Sequence, residues 1–416
     1  MRKIFIIALL VSSVNLFAQK SITVQSSTGE MEEIDIPENM ILSVDSLLSD
    51  WHAKNYLSVT AEDCGYTDVN PTYPDSIYID RLSRIPTIME MPYNEIVRKF
   101  IDMYSGRLRK SVSYMLGAAN FYMPIFEQAL DLYNLPYELK YLPIIESALN
   151  PKAVSKAGAA GLWQFMLGTG KLYGLQANSL VDERRDPIKS TYAAARYLSD
   201  LYNIYKDWNL VIAAYNCGPG TVNKAIHRAN GATDYWSIYN YLPKETRGYV
   251  PAFIAANYIM NYYCDHNICP MNTQLPLATD TIHVNRDLHF QQISDLCDID
   301  MESLHALNPQ YKTEIIPGNS GDCILRLPQA ALTAFIDAKD SVYTHRAAEL
   351  FTKRKQVAVK EASGSGSTAG AKYYKIRRGD TLSEIAEKFG TSVRRLRSLN
   401  GIRGNRITAG KSIRVR

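Results

Sequence analysis

Apolar residues recur at helical spacing from Tyr93 onward, and this pattern predicts a long helical region. The segments that show it are, in chain order, YNEIVRKFIDMY, LGAANFYMPIFEQALDLYN, PYELKYLPIIESAL, IKSTYAAARYLSDLYNIY, WNLVIAAYN and TRGYVPAFIAANYIMNYY. Gly, Pro and Asn separate them, as expected of loops between helices. We therefore predict one all-helical domain over residues 91–272, preceded by an irregular extension over residues 19–90.

A second pattern occurs twice towards the C-terminus. Residues 282–308 align with residues 374–400 without a gap, so that apolar positions of one copy fall on apolar positions of the other. Each copy predicts a strand, two helices and a closing strand. We predict small α+β (βααβ) modules at 280–328 and 372–416, joined by a helix and a flexible GSGSTAG linker over residues 329–371. Small repeated modules on one chain favour binding over catalysis.

The first residues predict export. Arg2 and Lys3 precede a mostly apolar run that ends at Phe17, and Ala18 offers a small residue for cleavage. This pattern is typical of a secretory signal peptide, here residues 1–18, with an uncleaved anchor as the alternative. Since no later stretch is long enough for a transmembrane helix, we expect an exported protein of the periplasm or cell envelope without a transmembrane anchor.

Charge is unevenly distributed along the chain. The composition, with 46% hydrophobic and 21% charged residues, is ordinary for a globular protein. The formal net charge is +4, but residues 372–416 hold thirteen Lys or Arg against three acidic residues. Basic charge permits nucleic-acid binding. An exported protein does not meet nucleic acid, however, so we expect none as a partner.

The six cysteines are too few for a disulfide scaffold. Cys264 and Cys269 are close enough for a small loop bridge, and with His266 they also form an incomplete metal set. Because a fourth ligand is missing nearby, we expect no metal and no cofactor. Cys297 and Cys323 are candidates for a bridge in the inner module. We interpret the remaining cysteines as isolated structural residues, namely Cys64 and Cys217.

Glu146 is a carboxylate among apolar residues. Leu139, Leu142 and Leu149 are spaced to share one helix face with it, and an Asn-Pro pair then ends the helix. Loss of solvation raises the pKa of such a carboxyl, so it can hold a proton near neutral pH and donate it as a general acid. From spacing alone, a structural Glu that reaches solvent or pairs with an arginine remains an alternative.

Three further segments supply side chains suited to sugars. They are GLWQFM at 161–166, AAYNCGPG at 213–220 and ETRGYVP at 245–251. Aromatic faces stack on pyranose rings, and amides bond to N-acetyl and hydroxyl groups. Together with Glu146 they predict a glycan-binding cleft.

These segments, with IIESALNP and RRDP, resemble in order and spacing the lytic murein transglycosylases, family 1, over roughly residues 91–265. The tail, with YKIRRGDTLSEIAEKFGTSVRRLRSLN, resembles a LysM module, a small fold that binds N-acetylglucosamine-containing glycans. The resemblance implies a mainly α protein: a lysozyme-like, all-helical catalytic domain followed by LysM-type modules. It also implies a cofactor-free peptidoglycan lytic transglycosylase that acts on glycan strands in cell-wall turnover. It specifies no protein partner.

The resemblance further implies the roles of single residues. Glu146 is the only catalytic carboxylate: it protonates the bond between N-acetylmuramic acid and N-acetylglucosamine, and then deprotonates the C6 hydroxyl that closes a 1,6-anhydro ring. Tyr215 orients Glu146. The residues expected to bind substrate are Ser147, Ser155, Gln164, Met166, Tyr215, Asn216 and Tyr249.

In the terminal module, two turns are expected to flank the sugar groove. Their residues are Gly379, Asp380, Thr381, Leu382, Ile407 and Ala409. The inner copy has Asp287-Leu288-His289 in place of the first turn. We therefore expect the inner copy to be a structural spacer with weak or no glycan binding.

Two other functions remain open. A lysozyme-type hydrolase needs a second carboxylate or a held water, and the candidates are Asp182, Glu183 and Asp186, although RRDP is more typical of a structural ion pair. A non-catalytic peptidoglycan-binding protein is disfavoured by the intact Glu146. Two features depart from the family pattern: Cys217 replaces a small residue, and the usual lipid-attachment cysteine is absent.

Overall fold

The computed structural model describes residues 21–25, 30–41, 57–58, 69–273, 276, 278–338, 340–351, 373–376, 380–389, 391–400, 402, 404, 407–408 and 410–415. The chain divides into two compact units, Met1–Val357 and Ala358–Arg416. The predicted signal peptide and GSGSTAG linker lie outside the described residues, as do Cys64, Gly379 and Ala409.

The first unit contains a domain built of helices, as the periodicity predicts. Its α-helices are α1 (Asp75–Arg84), α2 (Glu95–Ser105), α3 (Arg109–Leu132), α4 (Leu142–Ser147), α5 (Leu167–Leu172), α6 (Pro187–Tyr205), α7 (Trp208–Cys217), α8 (Pro219–Arg228), α9 (Tyr235–Ile238) and α10 (Lys244–Tyr262). Short 3₁₀ turns lie between them at Tyr137–Tyr141, Glu183–Arg185 and Tyr239–Tyr241, and a fourth follows α10 at Cys264–His266.

Side-chain caps fix where several of these helices begin. Asn94 accepts a hydrogen bond from the amide of Val97 at the start of α2, and Asp207 accepts one from Leu210 at the start of α7. Each cap satisfies an amide that the helix itself leaves unpaired, a contribution of about 1 kcal/mol. Residues 209–214 of α7 are buried, so most of this helix lies inside the domain among the other helices.

Trp163 lies at the centre of the domain and connects three of its elements. The indole ring packs edge-on against Phe126 of α3, with the ring centroids 5.3 Å apart. The indole Nε1 donates to Oγ1 of Thr191 on α6 over 2.9 Å. A buried Trp whose N–H is paired adds apolar contact without an unsatisfied donor, so the loop that carries Trp163 is fixed to both helices.

The extension that the sequence predicts as irregular contains regular secondary structure in its described residues. Strands β1 (Ser21–Gln25) and β2 (Met31–Asp35) form an antiparallel hairpin, followed by a 3₁₀ turn at Glu38–Ile41. Ile22, Val24 and Ile34 of the hairpin belong to the core of the helical domain. Gly248 of α10 permits this contact, because a Cβ there would lie 2.6 Å from the carbonyl oxygen of Asp35.

Two further strands, β3 (Leu57–Ser58) and β4 (Asn272–Thr273), pair with each other. The inner module follows. Its strands are β5 (Thr279–Val284), β6 (Asp287–His289), β7 (Ile315–Pro317) and β8 (Cys323–Pro328), and its helices are α11 (Phe290–Cys297) and α12 (Met301–Leu307). β5 pairs antiparallel with β8, and β6 with β7. The predicted strand, helix, helix and strand are therefore present, with one additional strand pair.

The single helix predicted after the inner module is instead three short helices, α13 (Gln329–Ala338), α14 (Asp340–Thr344) and α15 (Ala347–Leu350). Phe335 and Val342 belong to the apolar core of the module. The buried Gln292 of α11 donates to the carbonyl oxygens of Tyr343 and His345. The segment folds back because its apolar residues extend that core.

The terminal unit repeats the arrangement with β9 (Tyr373–Lys375), α16 (Leu382–Lys388), α17 (Val393–Asn400) and β10 (Ser412–Arg414). The two copies share one hydrogen-bond pattern. Asn308 donates to the carbonyls of Leu304 and Arg326 and accepts from the Arg326 amide. Asn400 makes the equivalent bonds to Leu396 and Arg414. The repeat found in the sequence therefore extends to a side chain that fixes the closing strand.

The described cysteines differ from the predicted pairings. Cys264, Cys297 and Cys323 are free thiols, so neither proposed bridge is present. Cys269 is disulfide-bonded. The ring nitrogens of His266 lie 3.1 Å from a tyrosine hydroxyl and 3.1 Å from an asparagine oxygen. Within the described ranges, no group of three or more His, Cys, Asp or Glu is arranged to hold a metal ion.

Among the residues that the structure describes, none of the helices has both the length and the apolar character needed to cross a membrane.

Candidate active site

A cleft of about 550 Å³ opens in the helical domain beside Glu146. Six of the residues predicted to bind substrate line this cleft: Ser155, Gln164, Met166, Tyr215, Asn216 and Tyr249. They come from three elements far apart in sequence: the loop before α5, the end of α7, and α10.

Glu146 is the penultimate residue of α4, which ends earlier than the sequence predicts. Ala148 and Leu149 have positive φ angles of 50° and 60°, so the chain leaves the helix directly after Ser147. Leu149 therefore does not continue the helical face of Glu146, contrary to the prediction. Two consecutive non-glycine residues in the left-handed region cost about 1–3 kcal/mol each, and such strain often occurs at functional sites.

The carboxyl group of Glu146 is held in its protonated form near neutral pH. Burial raises the pKa of Glu146 to about 8, and the negative charge of Glu245 acts in the same direction. A hydrogen bond donated by the Tyr249 hydroxyl to Oε1 opposes this rise. Because removal from water is the largest of these effects, Glu146 meets the requirement for a general acid.

The two cleft tyrosines have different partners. Tyr249 donates to Glu146, whereas the hydroxyl of Tyr215 donates to the carbonyl oxygen of Trp163 over 2.7 Å. Burial raises the pKa of both tyrosines well above the usual value, so both remain neutral donors. Tyr249 thus makes to Glu146 a hydrogen bond of the kind that the family resemblance implies for Tyr215.

Replacing Tyr249 with Phe should move the alkaline limb of the kcat/KM profile to higher pH. The lost hydrogen bond favours the ionised carboxylate of Glu146, so its removal raises the pKa of that group further. The measurement is a pH profile of cleavage with soluble glycan fragments. Tyr258→Phe is the matched control, since Tyr258 lies on the same helix and contacts Arg81 rather than the cleft. Coincident alkaline limbs for wild type and Tyr249→Phe would contradict the assignment.

We call residues 155–166 the cleft loop, because they carry Ser155, Gln164 and Met166 into the cleft. Gln164 has a positive φ of 46°, and its Nε2 donates to the carbonyls of Ala153 and Gly161. Its buried Oε1 has no hydrogen-bond partner among the described residues. The side chain is therefore fixed by the loop that it belongs to.

Ser147, expected to bind substrate, is fully buried and does not line the cleft. Its hydroxyl lies within hydrogen-bond distance of the carbonyls of Pro143 and Leu162, at 3.1 Å and 2.9 Å. A buried hydroxyl with these partners cannot contact a glycan. Ser147 instead connects the end of α4 with the cleft loop, and so fixes the position of Glu146.

Two carboxylates in the cleft were missed by sequence reasoning, namely Glu38 and Glu245. Burial raises the pKa of Glu245, and the nearby charges of Glu38 and Asp35 add to the rise. Glu38 also forms an ion pair of 3.0 Å with Lys156 of the cleft loop. Sequence spacing could have found Glu245, which precedes Tyr249 by four residues on one helix face; Glu38 comes from the N-terminal segment and has no local signal.

The acidic residues proposed for a hydrolase lie elsewhere. Asp182 pairs with Arg184 at 2.8 Å, and Glu183 pairs with Lys189 at 2.5 Å. Asp186 caps the start of α6. None of the three acidic residues lines the cleft, so the interpretation of this segment as structural agrees with the contacts.

In the terminal unit, two residues predicted to bind glycan have structural contacts. Thr381 and Glu384 cap the start of α16 reciprocally, through three hydrogen bonds of 2.9–3.3 Å. Leu382 is 3% exposed and belongs to the apolar core, so its side chain cannot bind a sugar. Ile407 is partly buried against that core, and Asp380 is half-buried.

Comparison with known families gives three matches along the chain. Residues 123–238 match the Transglycosylase SLT domain, residues 278–344 match the Lytic transglycosylase MltD, LysM-like domain, and residues 374–416 match the LysM domain. The predicted fold class, a mainly α catalytic domain of the lysozyme-like type with LysM-type modules, is confirmed.

Two relatives found by sequence agree with these matches. The chain is 31% identical over 332 residues to membrane-bound lytic murein transglycosylase D from Escherichia coli K12, covering 79% of this chain and 70% of the relative. It is 33% identical over 124 residues to the soluble lytic murein transglycosylase of the same strain, covering 28% of this chain and 19% of the relative. The crystal structure of the 70 kDa soluble lytic transglycosylase from Escherichia coli matches 36% of this chain and 26% of its own, with a TM-score of 0.31 and 28% identity.

The helical domain, its matched family and the LysM-type modules define a lytic transglycosylase. More specifically, the chain belongs to the family of membrane-bound lytic murein transglycosylase D.

Proposed function

We propose that this protein cleaves the β-1,4 bond between N-acetylmuramic acid and N-acetylglucosamine in peptidoglycan, and leaves 1,6-anhydromuramic acid ends. The observation that carries the proposal is Glu146, a carboxyl in a cleft with a pKa raised to about 8 and a hydroxyl donor on its Oε1. Family membership supports the same chemistry.

In the proposed reaction, Glu146 gives its proton to the glycosidic oxygen as the bond between that oxygen and C1 breaks. The N-acetyl carbonyl of the muramic residue stabilises the cationic C1. The ionised Glu146 then takes the proton of the C6 hydroxyl while O6 forms the new bond to C1. One C–O bond breaks and one forms, the proton returns to Glu146, and no water is consumed. The Tyr249 hydroxyl fits this cycle, because its donated bond stabilises the charged form between the steps.

Product analysis tests the proposal directly. Digestion of peptidoglycan by the wild-type protein should release muramic ends that are lighter by one water and not reducible by borohydride. Mass spectrometry before and after borohydride treatment measures both properties. Reducible ends in every product would show hydrolysis instead.

A lysozyme-type hydrolase is the second candidate, and Glu38 and Glu245 are the observation that favours it. Both line the cleft with Glu146, whereas retaining and inverting glycosidases use a second carboxylate as nucleophile or base. If either residue acts in this way, Glu38→Gln or Glu245→Gln should remove reducible products selectively. If both variants still form anhydro ends, neither carboxylate is required for the proposed reaction.

The terminal unit is proposed to bind peptidoglycan and to raise the concentration of the enzyme at the wall. Its basic composition and its match to the LysM domain support this role. Partner binding by a tethered module raises the effective concentration of substrate at the cleft. Glycan strands are the proposed partner.

Deleting residues 364–416 should weaken sedimentation with insoluble peptidoglycan and leave cleavage of short soluble fragments near the wild-type rate. The physical reason is that the cleft and its described contacts belong to the other unit. Cosedimentation and a soluble-fragment assay measure the two properties separately. An equal loss of both would show that the two units do not act independently.

We further infer that the protein is exported and acts at the cell envelope. The signal-peptide pattern at residues 1–18 supports this inference, and murein is what the relative is named for. N-terminal sequencing of the protein recovered from the envelope, with cleavage near Ala18, would test it.

A further inference from the structure

The segment between α5 and α6 connects the inner module to the cleft. Leu180 and Val181 are buried within the apolar core of the inner module, although the chain places them in the helical domain. The backbone continues this contact: the Lys312 amide donates to the Leu180 carbonyl, and the Asp182 amide donates to the Gln310 carbonyl, both over 2.8 Å. The module thus holds this segment by strand-like pairing as well as by packing.

Asp182, the next residue, forms a buried ion pair with Arg184, and this pair lies between the inner module and the cleft. Asp182 accepts from Nε and Nη2 of Arg184 over 2.9 Å and 2.8 Å. The side chains of Asp182 and Arg184 are 7% and 11% exposed. A bidentate ion pair of this kind fixes the plane of the guanidinium as well as its position. The direction of the third nitrogen, Nη1, is therefore fixed too.

That nitrogen, Nη1 of Arg184, donates to two carbonyls of the cleft loop, those of Gly158 at 2.9 Å and Phe165 at 3.1 Å. The backbone of Arg184 touches the same loop, because a Cβ on Gly161 would lie 1.8 Å from the Arg184 carbonyl oxygen. Phe165 is flanked in sequence by Gln164 and Met166, which line the cleft. Direct contacts therefore lead from the inner module to the substrate-facing loop.

We propose that the inner module braces the substrate cleft, and that Arg184 is the positioning residue through which it acts. The proposal rests on the proposed function for its substrate, a glycan strand of peptidoglycan. It gives the inner module a role that requires no glycan binding of its own. Arg184 bonds to the cleft loop at Gly158 and Phe165, whereas Ser147, which fixes Glu146, bonds to it at Leu162. We therefore expect Arg184 to act mainly on substrate binding rather than on proton transfer.

Arg184→Lys is the first test. Lysine keeps the charge opposite Asp182 but loses the planar fork, so it cannot pair twice with Asp182 and also hold both loop carbonyls. We expect KM for soluble glycan fragments to rise about tenfold while kcat changes less than about threefold. A change in KM without a comparable change in kcat indicates loss of binding energy that the bound substrate and the transition state share. The pH profile of kcat should not move. A merely structural defect would lower the active fraction of enzyme and leave KM unchanged.

The matched control is Lys189→Met, which breaks the neighbouring Lys189–Glu183 ion pair without touching the cleft loop. It should leave KM near the wild-type value. The double variant Asp182→Asn/Arg184→Met avoids an unpaired buried charge and should raise KM at least as much as Arg184→Lys. It decides the question should Arg184→Lys fail to fold.

The module side is tested by Leu180→Ala against Val342→Ala. Both residues are buried in the core of the inner module, but Val342 belongs to α14 and lies outside the segment that leads to Arg184. Leu180→Ala should raise KM, and Val342→Ala should not. Equal KM values for wild type, Arg184→Lys and Leu180→Ala would overturn the proposal. Absence of anhydro products from the wild-type protein would refute the proposed function instead, so the two failures are distinguishable.

Discussion

Glu146→Gln is expected to give a folded protein that still sediments with peptidoglycan but does not cleave it. Gln retains the shape of the side chain and can accept the hydrogen bond of Tyr249, but it cannot transfer a proton. The loss should exceed the roughly 10²–10⁴-fold typical of one acid–base group, because the same carboxyl acts in both steps of the proposed reaction. Release of soluble fragments from purified peptidoglycan is the measurement.

The same variant should show a different dependence of stability on pH. The pKa of Glu146 is raised from its ordinary value of 4.5 to about 8, so between these values the folded protein holds a proton that the unfolded chain has lost. Folding stability contributed by this group therefore falls as pH rises through that window. The difference in melting temperature between Glu146→Gln and wild type should grow in favour of Gln from pH 5 to pH 8. An active Glu146→Gln variant would refute the assignment of the catalytic acid.

Gly161→Ala is expected to lower the free energy of unfolding by more than about 3 kcal/mol and to abolish cleavage. The residue has a φ of +87°, and an added Cβ would lie 1.8 Å from the carbonyl oxygen of Arg184, a backbone atom that moves only with its whole segment. Either the cleft loop or the segment at Arg184 must then shift. Chemical denaturation measures the stability, and the soluble-fragment assay measures the activity.

Gly158→Ala separates the cost of the left-handed backbone conformation from the cost of the steric clash. Gly158 has the same φ of +87°, but nothing lies within 4 Å of the added Cβ, so only the backbone preference is lost, about 1 kcal/mol. If the two variants are equally destabilised, the close approach of Gly161 to Arg184 has no energetic importance. A large difference supports the tight packing of the cleft loop.

The sequence predicts the helices well because their apolar faces, and the Gly, Pro and Asn residues that separate them, are local features. It also predicts the position of Glu146 in a cleft, since motif residues from three elements converge there. It does not predict that α4 ends at Ser147, because the left-handed Ala148 and Leu149 have no Gly to signal them. The Asn150-Pro151 pair is the more obvious signal for the end of the helix, but two residues separate it from Ser147, where α4 ends.

The other differences between the sequence-based predictions and the structure come from contacts between segments that are distant in sequence. Glu38 reaches the cleft because the N-terminal hairpin packs on α10, and periodicity within residues 19–90 gives no indication of that partner. Arg184 reaches the cleft loop through its guanidinium, and spacing alone identifies only an ion pair. In both cases the residue type is visible in the sequence, but its partner is fixed by tertiary packing.

The N-terminal hairpin also constrains the order in which the domain can be completed. Glu32 of β2 pairs with Arg247 of α10, a separation of 215 residues, and Ile34 packs beside Gly248. During synthesis from the N-terminus, the first strands therefore emerge long before the helix that covers them. Closing such a long loop early is entropically costly. The unfinished chain thus keeps its leading hairpin without its partner until α10 is available, so the domain can close only late in synthesis.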